Sequence, residues 1–335
     1  MEQIADFFQA LLGHALERLA FPFAAGERIY FLYLITSLLI AYGAYRLAHR
    51  TLRPQEAFVR FFRFCFPKEI YGAASAKLDY LFFLINGLFF PLFFAPLIVS
   101  NVLVATGVQD LLGLAFGAMD APWPVTWIVM VSFTIVLALI FDLSIFIAHY
   151  LQHRVAFLWE FHKVHHSAEV LTPMTVYRMH PIDDLLSGTL GGLLMGCVGG
   201  VFFYLYGPSV SFFALAGLNL FVFVFYVAGY HLRHSHIWLS YPKALSHILI
   251  SPAQHQIHHS QLPIHHDRNL GFMLALWDWM AGTLYVPATR EALVFGLDTE
   301  ENLTSLPKLY LQPFKRAFAL LTGGSVGDRS AEDTV

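Results

Sequence analysis

Between Leu78 and His153 the chain contains no lysine and no arginine, and most of that stretch is apolar. Such a segment belongs in a bilayer, where about 20 consecutive apolar residues make one spanning helix. The whole chain agrees: 57% of its 335 residues are hydrophobic and 13% charged, against about 25% charged in soluble domains. Hydropathy predicts five spans, at 29–48, 79–105, 125–148, 185–206 and 209–230. The second contains Pro91 and Pro96 and is expected to kink or to form a re-entrant hairpin. The last two meet at Tyr206-Gly-Pro-Ser209, a turn that makes them a tight hairpin. The expected fold is all-α and multi-pass, with about four to five transmembrane helices and a histidine-rich helical cap on the cytoplasmic face. Ahead of the spans, Ile4, Phe7, Phe8, Leu11, Leu12, Leu16 and Leu19 share one helical face. They predict an interfacial amphipathic helix rather than a cleaved leader.

Basic residues set the orientation. Arg50, Arg53, Arg60, Arg63, Lys68 and Lys77 separate the first two spans. Arg154, Lys163 and Arg178 follow the third, and Arg233, Lys243 and Arg268 follow the fifth. By the positive-inside rule, 50–78, 149–184 and 231–335 are cytoplasmic, and the loop around Asp110 and Asp120 is external. The basic stretch 50–77 suits anionic lipid, with an acidic protein partner as the alternative. A net charge of -3 argues against nucleic acid as a partner. Two distant cysteines, Cys65 and Cys197, make neither a disulfide framework nor a cysteine zinc site.

Histidine is the outlier, with 17 in the chain, mostly between His149 and His266. The third span ends in "HYLQH", placing His149 and His153 four residues apart on one helical face. "HKVHH" (His162, His165, His166) and "HQIHH" (His255, His258, His259) repeat one pattern 93 residues apart. In each, adjacent residues diverge by about 100°, so one triplet can serve two ions, with His166 turned toward the second. Eight imidazoles are too many for one ion and enough for two. The hairpin 185–230 returns the chain to the side it left, so all the clusters can meet. His234, His180 and His231 are candidates to complete the ligand sets. His236, His265 and His266 are read as neighbours of the site or as surface residues, and His14, His49 and His247 as ordinary packed or interfacial histidines. Asp142, two turns before His149, is placed to accept the outer N–H of a ligating imidazole. Trp277, Trp279 and Tyr285 are read as an interfacial aromatic belt.

Imidazole-only sites suit Zn, Cu, Fe or Ni, so the donor set alone does not choose the metal. A membrane zinc protease would use H-E-x-x-H, which is missing here. A bis-histidine haem protein would place single histidines on facing helices, and a metal transporter would put ionisable groups at mid-membrane.

In this order and spacing the three histidine groups resemble the fatty acid hydroxylase and sterol desaturase superfamily, in its bacterial sterol-desaturase-like branch. The likeness extends over "HKVHHSAEVLTPMTVYRMHPIDD" and "SPAQHQIHHSQLPIHHDRNLGFMLALWDWMAGTLYVP", and covers roughly residues 130–300. It implies a non-haem centre of two irons that activates O2 and attacks an unactivated C–H bond of a membrane lipid, giving a hydroxylase or a desaturase. The family's ligands map onto His149 and His153, onto His162, His165 and His166, and onto His255, His258 and His259. Its additional histidine maps onto His234, although His236 stands where the family commonly has asparagine, and His180 matches an "H-P-x-D" element. No catalytic residue is expected beyond the ligands. Electrons are expected from a separate donor of ferredoxin or cytochrome b5 type with its reductase. The domain reading is 1–130 for the interfacial helix and first spans, 131–290 for the di-iron domain, and 291–335 for a cytoplasmic segment with a disordered end. A membrane zinc hydrolase or metal-handling protein is the alternative function. If the protein is bacterial, the inner membrane is its expected place.

Overall fold

The computed structural model describes residues 2–119, 122–297 and 303–323. The described residues fold as α-helices with one two-stranded hairpin. The helices are α1 (Glu2–Ala20), α2 (Phe31–Ala48), α3 (Pro54–Cys65), α4 (Lys68–Tyr71), α5 (Ala74–Phe93), α6 (Asn101–Phe116), α7 (Trp127–Arg154), α8 (Ala156–His166) and α9 (Pro181–Tyr206). After the hairpin β1 (Ala214–Leu215) and β2 (Leu218–Asn219) come α10 (Leu220–Val227), α11 (Lys243–Ser246), α12 (Pro252–His258), α13 (Leu276–Ala281) and α14 (Leu306–Leu321). Among the described residues, five helical segments are long and apolar enough to cross a membrane: Phe31–Ala48, Ala74–Phe93, Ala95–Phe116, Trp127–Arg154 and Pro181–Tyr206. The protein is a helical membrane protein.

These are not the five segments that hydropathy expects: two of them divide the expected span 79–105, and 209–230 is not among them. The expected span 79–105 is two helices, α5 and α6, joined by a 3-10 turn at Ala95–Leu97 where Pro96 interrupts the ladder. It is not a re-entrant hairpin. At its start, Ser75 and Asp79 bond Arg178, whereas Tyr204 donates to the carbonyl of Gly117 just past the end of α6. The α5–α6 unit therefore carries the chain from one end of the molecule to the other. Asp110, expected in an external loop, lies within α6, and Asp120 falls outside the described residues.

Helix α6 runs beside α9 in the same direction. Gly188, Gly192, Gly196 and Gly200 recur every four residues along α9 and meet Ile98, Val99, Val104 and Val108 in turn. A Cβ on Gly196 would lie 2.7 Å from the carbonyl oxygen of Asn101, and one on Gly200 2.6 Å from that of Ala105. In a bilayer, where apolar burial gives helices little reason to associate, such a small-residue stripe permits the close approach that holds them.

The expected fifth span, 209–230, is not a continuous helix. Gly207 and Gly217 sit at φ 76° and 83°, and Asn219 caps α10 by accepting from the amide of Phe221 at 3.0 Å. The return leg is thus a hairpin followed by an eight-residue helix. It runs along α7: the amide of Phe213 donates to Thr134 Oγ1 at 2.8 Å, and Asn219 donates to the Thr134 carbonyl at 2.9 Å. Non-helical backbone at membrane depth needs such partners. The expected outcome for the histidines survives, because this leg still brings residue 231 back to the end where α7 finishes.

Helix α1 forms as expected, with Leu12, Leu16 and Leu19 exposed. The side chains of Ile4, Phe7 and Phe8 lie outside the described residues. Helix α14 buries Leu309, Pro313 and Ala317 against α8, and Arg316 Nε donates to Glu160 at 3.0 Å. The polar tail expected to be disordered lies, from residue 324 onward, outside the described residues.

Candidate metal centre

Nine imidazoles converge in two groups at the end of the molecule where α7 finishes. The first holds His149, His153, His162, His166 and His258, and the second His165, His234, His255 and His259. Within each group the nearest ring nitrogens all lie within 4.8 Å of one another. The groups abut, with the rings of His166 and His259 4.8 Å apart and those of His255 and His258 5.4 Å apart.

Helical geometry explains how three short elements feed two groups. Residues i and i+4 differ by about 40° around the axis, whereas i+3 swings about 60° the other way. In α8, His162 and His166 therefore enter the first group and His165 the second. The expectation that His166 would turn to the second ion is corrected on this ground. In α12 and its C-cap the pattern is repeated with the groups exchanged: His255 and His259 enter the second, and His258 the first. Helix α7 adds His149 and His153 to the first group, and the 3-10 turn Tyr230–His234 adds His234 to the second.

Outer hydrogen bonds orient the rings. His149 donates from Nδ1 to the carbonyl of Leu270 at 2.7 Å, and His258 from Nδ1 to that of Arg268 at 2.9 Å. His153 Nδ1 lies 3.0 Å from the Asp267 carboxylate. These contacts fix the Nδ1–H tautomer and leave Nε2 as a lone-pair donor pointing inward. Nε2 of His149, His162, His166 and His258, and Nδ1 of His165, are buried with no hydrogen-bond partner. Burying that many acceptors unpaired is costly unless something fills the space between them. In the second group, Nε2 of His234, His255 and His259 stand 3.0, 3.1 and 3.3 Å apart. Nitrogens about 2.1 Å from one first-row ion are separated by about 3.0 Å at right angles and about 3.4 Å in a tetrahedron. The residues present fit a metal ion in each group.

Burial pushes the His162 imidazole down to about 3. It also holds His165, His166, His234, His255, His258 and His259 well below 6.5, with neighbouring imidazoles adding to the effect. All are neutral near pH 7, the form that can ligate.

Some expected residues stand elsewhere. His180 caps α9: its Nδ1 accepts from the amide of Ile182 at 3.2 Å, and its Nε2 lies 3.2 Å from the carbonyl of Tyr310. With both nitrogens engaged it belongs to neither group. His231 is buried beside Tyr230 and also lies outside both. Asp142 does not touch an imidazole. Its carboxylate accepts from the amides of Met273 and Leu274 at 2.7 and 3.0 Å and from Trp277 Nε1 at 2.8 Å. The reason is height: seven residues is two turns along α7, and the loop after α12 fills the gap. Trp277 is therefore an internal partner rather than part of an interfacial belt, whereas Trp279 is exposed. Tyr285 is tied inward as well, its hydroxyl donating to Glu291 at 3.0 Å.

The carboxylates that do face imidazoles are Asp267 and Asp183, the latter 3.6 Å from His162 Nδ1 and bonded by Gln152 Nε2 at 3.1 Å. Neither stands out by histidine spacing. Asp267 could have been suspected from "HHDRN", where Asp267 and Asn269 both take φ 56°, a left-handed conformation these residue types tolerate. That shape presents Asp267, Arg268 O and Leu270 O to three different histidines. Asp278 fixes the loop by accepting from the amides of Leu270 and Gly271, both at 2.7 Å.

Both groups open onto one cavity of about 120 Å³, lined among others by His149, His162, His165, His234 and His255. A separate apolar groove of about 350 Å³ runs between α7 and α10, lined by residues such as Leu139, Phe221, Val224, Phe225 and Met273.

Residues 134–283, which contain all nine imidazoles, match the fatty acid hydroxylase family model. Over this segment, a little under half of its length, the chain is similar to the fatty acid hydroxylase family. Over 195 residues the chain is 27% identical to an ornithine lipid hydroxylase, OlsE, of Rhizobium tropici, covering 58% of this chain and 54% of the relative. It is 26% identical over 193 residues to an alkylglycerol monooxygenase of Caenorhabditis elegans, covering 58% of this chain and 33% of the relative. The corresponding zebrafish (Danio rerio) alkylglycerol monooxygenase is 27% identical, with 54% and 35% covered. The chain thus spans about half the length of the first relative and about a third of the other two. No solved structure matches the chain.

Proposed function

We propose that the protein is an O2-dependent lipid hydroxylase whose two histidine groups each hold one iron. The observation that carries this reading is the pairing of five and four inward-facing imidazoles inside the family-matched segment. The two named types of relative, an ornithine lipid hydroxylase and an alkylglycerol monooxygenase, support a lipid as substrate.

Bound irons would supply O2 activation and attack on an unactivated C–H bond. The overall change is R–H + O2 + two electrons + two protons → R–OH + water. The chain's own residues do the rest. The outer partners Leu270 O, Arg268 O and Asp267 keep the imidazoles neutral and aimed. Gln152 and Asp183 steady His162. The cavity holds the reacting carbon against both groups and limits water. The apolar groove suits an acyl or alkyl chain. Residues 131–290 make the di-iron unit in this reading, the site faces the cytoplasm by the distribution of basic residues, and a ferredoxin- or cytochrome b5-type donor delivers the electrons.

The deciding experiment is metal content of the detergent-purified protein, with anaerobic Mössbauer spectra, for wild type and His165→Ala. About two irons per chain in wild type, with a large loss in the variant, is the expected result. Zinc in place of iron, or no metal with the variant unchanged, would overturn it and turn attention to a zinc hydrolase. Lipid profiling of expressing cells for added oxygen then identifies the product.

A further inference from the structure

The cavity between the histidine groups has three charged side chains in its wall that the metal reading does not use, Arg28, Asp184 and Arg233. Arg233 is already engaged, its Nη2 donating to the carbonyl of Phe272 at 2.8 Å and its guanidinium lying over the rings of Phe225, Tyr230 and Phe272. Arg28 comes from the turn before α2, outside the family-matched segment. Its Nη1 donates to the carbonyl of Val176 at 3.2 Å, and this is the side chain's one hydrogen bond among the described residues. Asp184 stands on the first turn of α9, one residue after Asp183, and lines the same cavity. Among the described residues its carboxylate has no hydrogen bond or ion pair, and Arg28 is the main opposing charge it feels. A carboxylate at a helix N-terminus is ordinary in itself. A guanidinium reaching the same small cavity from an unrelated segment, with donors to spare, is not explained that way.

Leaving both groups unpaired against bare hydrocarbon would be costly, because each would lose water without gaining a partner. The pair also discriminates by charge. A carboxylate headgroup would be repelled by Asp184, and an ammonium by Arg28 and by Arg233 behind it. A neutral group that both accepts and donates, such as a hydroxyl or an amide, satisfies both. The same cavity is bounded by His149 and His162 of one group and by His165, His234 and His255 of the other. Whatever touches Arg28 and Asp184 is therefore close to both metal positions.

Building on the proposed hydroxylase reading, we propose that Arg28 and Asp184 hold a neutral hydroxyl or amide of the lipid. The C–H bond attacked then lies beside that polar group and not in the middle of the chain. Arg28 and Asp184 are specificity-determining residues for the substrate end that enters the cavity.

The test uses the full chain in nanodiscs, stripped of metal, so that binding is read without turnover. Four probes share one alkyl chain: hexadecanol, hexadecanoate, hexadecylammonium and hexadecane. Retention of each radiolabelled probe is measured by equilibrium dialysis for wild type, Arg28→Met, Arg28→Lys and Asp184→Ala. Hexadecanol should bind wild type at least about tenfold more tightly than the other three. Arg28→Met and Asp184→Ala should erase that preference, and Arg28→Lys should keep part of it. Equal retention of hexadecane by wild type overturns the proposal. So does an unchanged preference for hexadecanol in both Arg28→Met and Asp184→Ala. Metal uptake is measured separately on the same variants after reconstitution. Loss of uptake in wild type would count against the metal reading and leave the binding result standing, so the two failures are distinguishable.

Discussion

His149 Nδ1 lies 2.7 Å from the carbonyl oxygen of Leu270, 121 residues further along the chain. That contact ties the end of a membrane-spanning helix to the loop that follows the third histidine cluster. Asp142, two turns back on the same helix, holds the loop a second time through the amides of Met273 and Leu274 and the Trp277 indole. Replacing it by alanine strips three donors of a buried acceptor. Asp142→Ala should lose about 3 kcal/mol of stability, since each buried donor left unpaired costs about 1–3 kcal/mol with partial relaxation. It should also weaken metal binding without removing a ligand. Thermal unfolding in detergent and metal titration check this; an unchanged melting temperature would refute the anchoring role.

His258 and His259 are neighbours in sequence and members of different groups. His258→Ala should deplete the five-histidine group and His259→Ala the four-histidine group, each lowering metal content by about one ion. The double variant should lose both, as expected for ligand sets that each need several imidazoles. Elemental analysis with spectra of the remaining ion reads the difference. If both single variants give the same residual spectrum, the two-group assignment fails.

Acid should destabilise the metal-free protein in a defined direction. Burial takes the folded His162 imidazole to about 3, below the value of about 6.5 in an unfolded chain. For a base with a depressed folded value, the unfolded state binds more protons throughout that interval, so stability rises with pH across it. Stability is therefore complete above about pH 6.5 and declines toward about pH 3, at up to about 1.4 kcal/mol per pH unit for each such imidazole. His165, His166, His255, His258 and His259 are shifted the same way. Melting temperatures of metal-free protein should fall steadily between about pH 7 and about pH 5, and bound metal should flatten that slope because ligated imidazoles cannot take protons.

The α6–α9 contact should tolerate no larger side chain at Gly200, where a Cβ would meet the Ala105 carbonyl oxygen at 2.6 Å. Gly200→Val should cost about 1–3 kcal/mol through overpacking. Gly13, which has nothing within 4 Å of an added Cβ, should accept alanine without loss. Comparing the two variants' melting temperatures separates close packing from general loss of a glycine.

The apolar spans and the eight patterned imidazoles can be read from the sequence, because hydropathy and histidine spacing are local properties that do not depend on distant partners; His234 could not be told there from His180 and His231. The i, i+3, i+4 spacing even fixes that each triplet must divide between two directions. Which direction serves which ion was not legible, since it depends on how α8 and α12 face each other across residues far apart in the chain. His180 shows the same limit: in sequence it is one more histidine near the cluster, and only the approach of Tyr310 and the start of α9 make it a cap. Asp142 likewise reads as a partner for His149 along one helix, until the loop at 270–274 inserts between them. The span 209–230 is apolar enough for a helix, yet Thr134 and Asn219 give its backbone other partners and it turns instead. Composition and periodicity decide what each segment can do alone, and hydrogen bonds between segments distant in sequence decide which of those options is taken. Arg28 reached the cavity for that reason, from a turn whose own sequence says nothing about a metal centre.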